Sequence, residues 1–174
     1  ASLKSMPCFS EFILFFFSTL TWAQRGRRNA EPVLHEVSNK AVVQCVFPEA
    51  VKVEKVNDYW YSILNEKGKV IGYAMNSQSF CADIVGYKGT TPVMIITDTK
   101  YMIKKVALLS HYETLSYVRL LENEGFFNQW NNLTLKEAGN KSLDAYSGAT
   151  ETALSIEKNL LFLLKNGIRM KPKK

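Results

Sequence analysis

The chain is poor in the residues that build metal centres. Its 174 residues hold two histidines and three cysteines, Cys8, Cys45 and Cys81. No two cysteines stand in a CxxC spacing and no histidine clusters with them, which disfavours zinc and iron–sulfur sites. Without Cys8, the remaining Cys45 and Cys81 could close one bridge in an oxidising compartment or stay as two separate buried thiols. Low-complexity tracts are missing, and no stripe of basic and aromatic side chains marks a nucleic-acid surface. The apolar run from Phe12 fades by Leu20, too short to span a bilayer as a helix. No nucleophile, general base or metal set of a substrate-converting catalyst stands out.

What is present suffices for one domain with a real core. Net charge is +6, and part of the excess is local. Lys165, Arg169, Lys171, Lys173 and Lys174 crowd one end, and Arg25, Arg27 and Arg28 lie near the other. Such clusters could meet phosphate or anionic lipid, but two solvated, frayed ends are the simpler reading. The early apolar run followed by Thr21-Trp22-Ala23 reads as a secretory signal peptide over residues 1–23. Only Lys4 precedes the run and three arginines follow it, a charge order that argues against a membrane anchor. Residues 24–32 then form a polar link, 33–167 the folded domain, and 168–174 a basic tail.

Within the domain, Val33, Leu34, Val37, Ala41 and Val42 have helical spacing, which predicts a helix from Val33 to Val46 that Pro48 stops. His35 stands alone there and is expected at the surface. Tyr59 to Leu64 and Val70 to Ala74 read as a hairpin around Asn65-Glu66-Lys67-Gly68. Phe80 to Val85 predicts another short strand. Gly86-Tyr87-Lys88-Gly89 forms a loop, and two further strands, from Val93 and from Tyr101 to Leu109, turn at Asp98-Thr99-Lys100. The result is an α+β fold, an antiparallel meander sheet flanked by helices.

Ser110-His111-Tyr112-Glu113-Thr114 ends the last strand and opens a helix bearing Leu115, Val118, Leu120 and Leu121, stopped by Gly125. His111 and Glu113 could bind a polar ligand; the plainer reading is a helix cap with an exposed imidazole. Phe126, Phe127 and Trp130 form an aromatic cluster fit for a planar ring, though core packing is its commoner use. Two glycosylation-type triplets, at Asn132 and Asn140, are too common to weigh.

The richest stretch runs from Asp144 to Thr152. It is small and polar, and it enters a helix with Ala153, Ile156, Leu160, Leu163 and Leu164 on one apolar face, ended by Gly167. Ser147 or Thr150 can cap that helix, and Gly148 lets the backbone bend without a Cβ penalty. A helix start gathers unpaired N–H groups and the positive end of the dipole, so a phosphate beside Ser147, Ala149 and Thr150 would be well received.

Taken in order, Phe47-Pro48-Glu49-Ala50, Gly68 to Tyr73, Gly86-Tyr87-Lys88-Gly89, His111 to Thr114 and Asp144-x-x-Ser147-Gly148-Ala149-Thr150-x-Thr152 resemble the FMN-binding domain family. The resemblance spans about residue 35 to 165. That family includes the flavinylated domain of the C subunit of sodium-pumping NADH:quinone oxidoreductase and the G subunit of the Rnf complex. It implies FMN as cofactor, attached by a flavin transferase through a phosphoester to Thr150. Asp144, Ser147, Gly148, Ala149 and Thr152 match the rest of the attachment motif. His111, Glu113 and Thr114 match a segment expected beside the flavin, and Gly86 and Gly89 a loop that lets a large ring approach. The chain departs from the family at Leu115-Ser116, at Lys88 and at Thr90-Thr91, which bears on the shape of the ring pocket.

The resemblance implies an exported flavoprotein, periplasmic or extracellular, that relays electrons to a redox protein or membrane electron-transfer complex. Noncovalent FMN binding as a sensor or assembly module is one alternative. A secreted partner-binding domain that has lost the flavin is another.

Overall fold

The computed structural model of the chain describes residues 31–141 and 147–172. The apolar leader, Cys8, most of the polar link and Asp144 lie outside the described residues. The fold is α+β, as expected. Five antiparallel strands follow one another in spatial order: β1 (Ala50–Lys55), β2 (Trp60–Asn65), β3 (Val70–Asn76), β4 (Val93–Asp98) and β5 (Ile103–Leu108). Helix α1 (Asn39–Val46) precedes them; α2 (Leu115–Asn123), a 3-10 turn (Phe126–Trp130), α3 (Leu135–Gly139) and α4 (Thr150–Gly167) follow.

The sheet alternates side chains between its faces, and both faces are buried. On one face Trp60, Tyr73, Met75, Val93, Ile95 and Val106 pack against Val118 and Leu121 of α2 and Ile156, Leu160 and Leu163 of α4. On the other, Ile63, Ala74, Met94 and Ile96 pack against Val42 and Val43 of α1. All five apolar positions of the α4 stripe are buried. Phe126 and Trp130 are also buried, with ring centroids 5.2 Å apart and edge-to-face, so this aromatic cluster is core.

Several expectations change. The first helix begins at Asn39 instead of Val33, because the Ser38 hydroxyl caps it by accepting from the Ala41 N–H at 3.3 Å. The residues before it run extended as a strap along the end of β5. His35 N–H donates to the His111 carbonyl at 2.8 Å, and His111 N–H donates back at 3.1 Å. Phe80 to Val85 is loop, with a single bridge between Val85 and Thr90. The Phe80 ring leaves the sheet to stack on Tyr59, centroids 4.9 Å apart. β1 escapes the sequence reading because it is a charged edge strand, buried only at Ala50.

Cys45 is exposed on α1 and Cys81 is buried in the β3–β4 loop, and both thiols are free. They are neither bridged nor both buried. The C-terminal residues up to Pro172 are not a frayed tail. Ile168–Met170 form a 3-10 turn, Asn57 Nδ2 donates to the Met170 carbonyl at 2.8 Å, and the Tyr101 hydroxyl donates to the Pro172 carbonyl at 2.6 Å. Lys171 lays its ammonium 4.3 Å from the centre of the Tyr101 ring. Burial, with the Tyr73 phenol as the further cause, pushes the Tyr101 hydroxyl up to about 12, so it remains a donor. No helix among the described residues is long and apolar enough to cross a membrane.

Candidate functional site

The site forms where the start of α4 meets the loop after β5 and the glycine loop before β4. Thr150 is the first residue of α4 and is exposed, as are Ser147 and Gly148 just before it. The N-cap is Ala149, which has no side chain able to cap, so neither Ser147 nor Thr150 takes the capping place. Gly148 makes the entry turn possible, with φ at +89°, a conformation that side-chain-bearing residues resist. Its Cα faces α2, where an added Cβ would lie 3.4 Å from Leu120 Cδ2. The positive end of the α4 dipole lies at this exposed turn, which suits a phosphate. Glu151 is the acidic residue of that turn, and it is exposed, where water screens its charge.

Glu113 anchors the site from beneath. It is fully buried, and both of its oxygens are used by the protein. Oε1 accepts from the backbone N–H of Lys88 at 2.8 Å and of Gly89 at 3.1 Å. Oε2 accepts from the Thr152 hydroxyl in a short hydrogen bond. One carboxylate therefore ties the glycine loop to the first turn of α4, and such charge-assisted bonds are the stronger kind. The reason for glycine at position 86 lies in this packing: a Cβ there would stand 2.7 Å from Ser155 Oγ and 2.8 Å from Glu113 Oε1. At Gly89 a Cβ would press on Tyr112 Cβ at 3.1 Å.

The same network continues down α4. The Thr91 hydroxyl donates to Ser155 Oγ at 2.9 Å, and Asn159 Nδ2 donates to the Thr91 carbonyl at 2.9 Å. Thr152, Ser155 and Asn159 are all buried. Their spacing of three and four puts them in one polar stripe beside the apolar one. Sequence reasoning missed Ser155, Asn159 and Thr91, although this second periodicity on α4 was a usable signal.

His111 is buried, not an exposed cap residue. Its Nδ1 accepts from the Glu113 backbone N–H at 3.0 Å, which leaves Nε2 to carry the proton of the neutral ring. Burial, then the neighbouring His35, hold its pKa below the usual histidine value, against the opposing pull of Glu113. His35 is half-buried, with its ring centroid 5.2 Å from that of His111, so it belongs to this corner and not to the open surface. Thr114 is the N-cap of α2 but makes no side-chain cap bond. The structure thus gathers Ser147, Gly148, Ala149, Thr150, Thr152, Glu113, Gly86 and Gly89 about one helix start, with His111 and Thr114 behind.

An open groove of about 610 Å³ is lined by Tyr112, the strap at Leu34 to Ser38 and the loop carrying Gln78, Cys81 and Thr90. Its lining residues do not include the start of α4.

Residues 86–165 match the family model described as the FMN-binding domain. The matched span opens at the glycine loop, takes in the His111 to Thr114 segment, and closes near the end of α4. No curated protein sequence matches the chain. The start of α4, the turn at Gly148 and the exposed threonine suit the phosphate end of FMN. Residues 86–165 are thus similar to an FMN-binding domain, and that likeness indicates FMN as the cofactor.

Proposed function

We propose that FMN is held covalently, through a phosphoester on Thr150, and that the protein is an exported carrier relaying electrons between redox partners. The observation that carries this reading is the exposure of Thr150 at the first position of α4. An exposed side chain there can be reached by a modifying enzyme, and the phosphodiester left after attachment keeps one negative charge beside the helix start. Transfer from FAD forms the bond between Thr150 Oγ1 and the FMN phosphorus and breaks the pyrophosphate. AMP leaves, and the hydroxyl proton passes to solvent. The bound flavin supplies the redox chemistry. The chain's own residues position it: Gly148 turns the backbone, the first turn receives the phosphate, and Glu113 with Thr152 fixes the adjoining loop.

Co-expression with a flavin transferase, with FAD supplied, tests the attachment by intact mass and by flavin fluorescence on a denaturing gel. The expected result is one FMN per chain, lost in Thr150→Val. An unmodified mass, or modification that survives Thr150→Val, overturns the assignment. Bleaching of the yellow chromophore by a reductant, and its return on adding an electron acceptor, tests the relay role separately.

A further inference from the structure

The two edges of the sheet are treated differently. At β5 the chain covers its own edge: the strap bridges His35 to His111 just past the strand, and the Ile103 N–H donates to the Leu133 carbonyl at 2.9 Å. At β1, among the described residues, no strand pairs with the outer side. Every β1 side chain from Val51 to Lys55 is exposed, and Val51 and Val53 are apolar. Val56, just beyond the strand, is exposed as well. An open edge with apolar side chains is a template for another strand.

The pairing of β1 with β2 tells which main-chain groups face outward. The Val56 N–H donates to the Trp60 carbonyl at 2.8 Å, so Val56 turns its polar groups toward β2. Successive residues of a strand alternate in this respect. Glu54 and Lys52, opposite Ser62 and Leu64, therefore also turn theirs inward, while Val53 and Lys55 turn theirs away from β2. The side chains of Lys52 and Glu54 lie on one face, Nζ 2.5 Å from Oε1, and both are exposed.

We propose that β1 is a self-association edge, where two copies of this chain pair antiparallel about Val53 and join their sheets into one. A two-fold axis makes such a contact isologous. It must set outward-turned residues against each other, and the charges then choose among the registers. Centred on Val53, each copy's Lys52 faces the Glu54 of the second copy, in a pair without backbone bonds, where side chains come closest. Centred on Lys52 the two lysines would oppose each other, and centred on Glu54 the two glutamates would. Opposite charges across strands stabilise and like charges destabilise, so the Val53 register is favoured over its neighbours. The same charges deter unrelated strands, which is how a specific edge excludes wrong partners. The start of α4 borders the loops next to β4 and β5, at the other side of the strand order, so this pairing leaves the candidate site free. One strand edge is a small interface, and the dimer is accordingly concentration-dependent.

Sedimentation equilibrium of the full chain, from micromolar to submillimolar concentration, provides the test. A thiol reductant is present because Cys45 is exposed. The expected mass rises toward twice that of one chain. Lys52→Glu and Glu54→Lys, measured separately, should each weaken the dimer by about tenfold or more, since two favourable cross-strand pairs become two unfavourable ones. An equimolar mixture of these two variants should pair again, and the double variant carrying both changes should match wild type. Val53→Pro should stay monomeric with an unchanged circular dichroism spectrum, because its N–H points off the sheet, where proline is tolerated. A wild type that is monomeric throughout, whether its edge meets water or another segment of the chain, overturns the proposal. So do single charge variants that pair as well as wild type, or a mixture of the two that pairs no better than either alone.

Discussion

His111 shows how far a residue's surroundings can turn its chemistry. Its neutral ring accepts the Glu113 N–H, and a proton on Nδ1 would remove that acceptor. The unfolded chain takes up this proton below about pH 6.5, the ordinary histidine value. The folded chain resists it, because burial and His35 hold the pKa down. The contribution of His111 is therefore complete above that pH and is lost as pH falls through the lower, folded-state value. The melting temperature should decline between neutral pH and mildly acidic pH. His111→Asn, which keeps an acceptor near Nδ1 but cannot titrate, should flatten that decline; an unchanged slope would refute the link. His111 could be marked as a site residue from its place in the chain, but its burial could not. Burial follows from the strap that brings His35 across from a segment more than seventy residues earlier.

At the scale of elements, α4 carries two stripes with different duties. The apolar stripe was legible, since Ala153, Ile156, Leu160, Leu163 and Leu164 repeat at helical intervals and all are buried. The polar stripe of Thr152, Ser155 and Asn159 is equally regular. Its meaning depends on Glu113 and Thr91 arriving from other elements. Glu113→Ala would leave the part-buried Lys88 and Gly89 amides and the buried Thr152 hydroxyl without their acceptor. Each such loss costs about 1–3 kcal/mol, so a destabilisation of roughly 3 kcal/mol or more is expected from urea unfolding. Glu113→Gln keeps one carbonyl oxygen and should fall between that variant and wild type. Equal midpoints for all three would show that the loop does not hang on this carboxylate. Gly167 gives a related lesson. It ends α4 with ordinary helical φ of −64°, not in the left-handed region expected of a stop. A Cβ there would run into Met75 Sδ, and the Trp60 indole N–H donates to the Gly167 carbonyl at 2.8 Å.

Across the whole molecule, the sheet is held at both ends of the chain's folded part. The strap closes one end through His35 and Val37, whose N–H donates to Ser110 Oγ at 2.9 Å. The C-terminal turn closes the other through Asn57 and Tyr101. Deleting residues 168–174 removes the hydrogen bonds of Asn57 and Tyr101 to this turn and the contact of Lys171 with the Tyr101 ring. At about 1 kcal/mol for each bond and about 0.5–1 kcal/mol for the cation, a loss near 2–3 kcal/mol is expected, read as a lower melting temperature. A truncated chain that melts with the full one would mean that these contacts do not contribute. Charge alone suggested a solvated tail, because lysines at a terminus usually are. The backbone carbonyls of Met170 and Pro172 take part instead, and a carbonyl leaves no mark in a sequence.

Local chemistry by itself determined four of the five strands of the meander, the long final helix, its buried face and the place of Thr150 at its start. Each depends on periodicity, turn residues or proline and glycine effects that act within a few positions. Tertiary structure alone decided that Glu113 is a clamp, that the two histidines meet, that Phe80 leaves the sheet and that the two cysteines stay apart. Those outcomes are set by which distant segments reach the same point and exclude water there, and hydrogen-bond partners across such distances follow from the packed fold, not from neighbours in the chain.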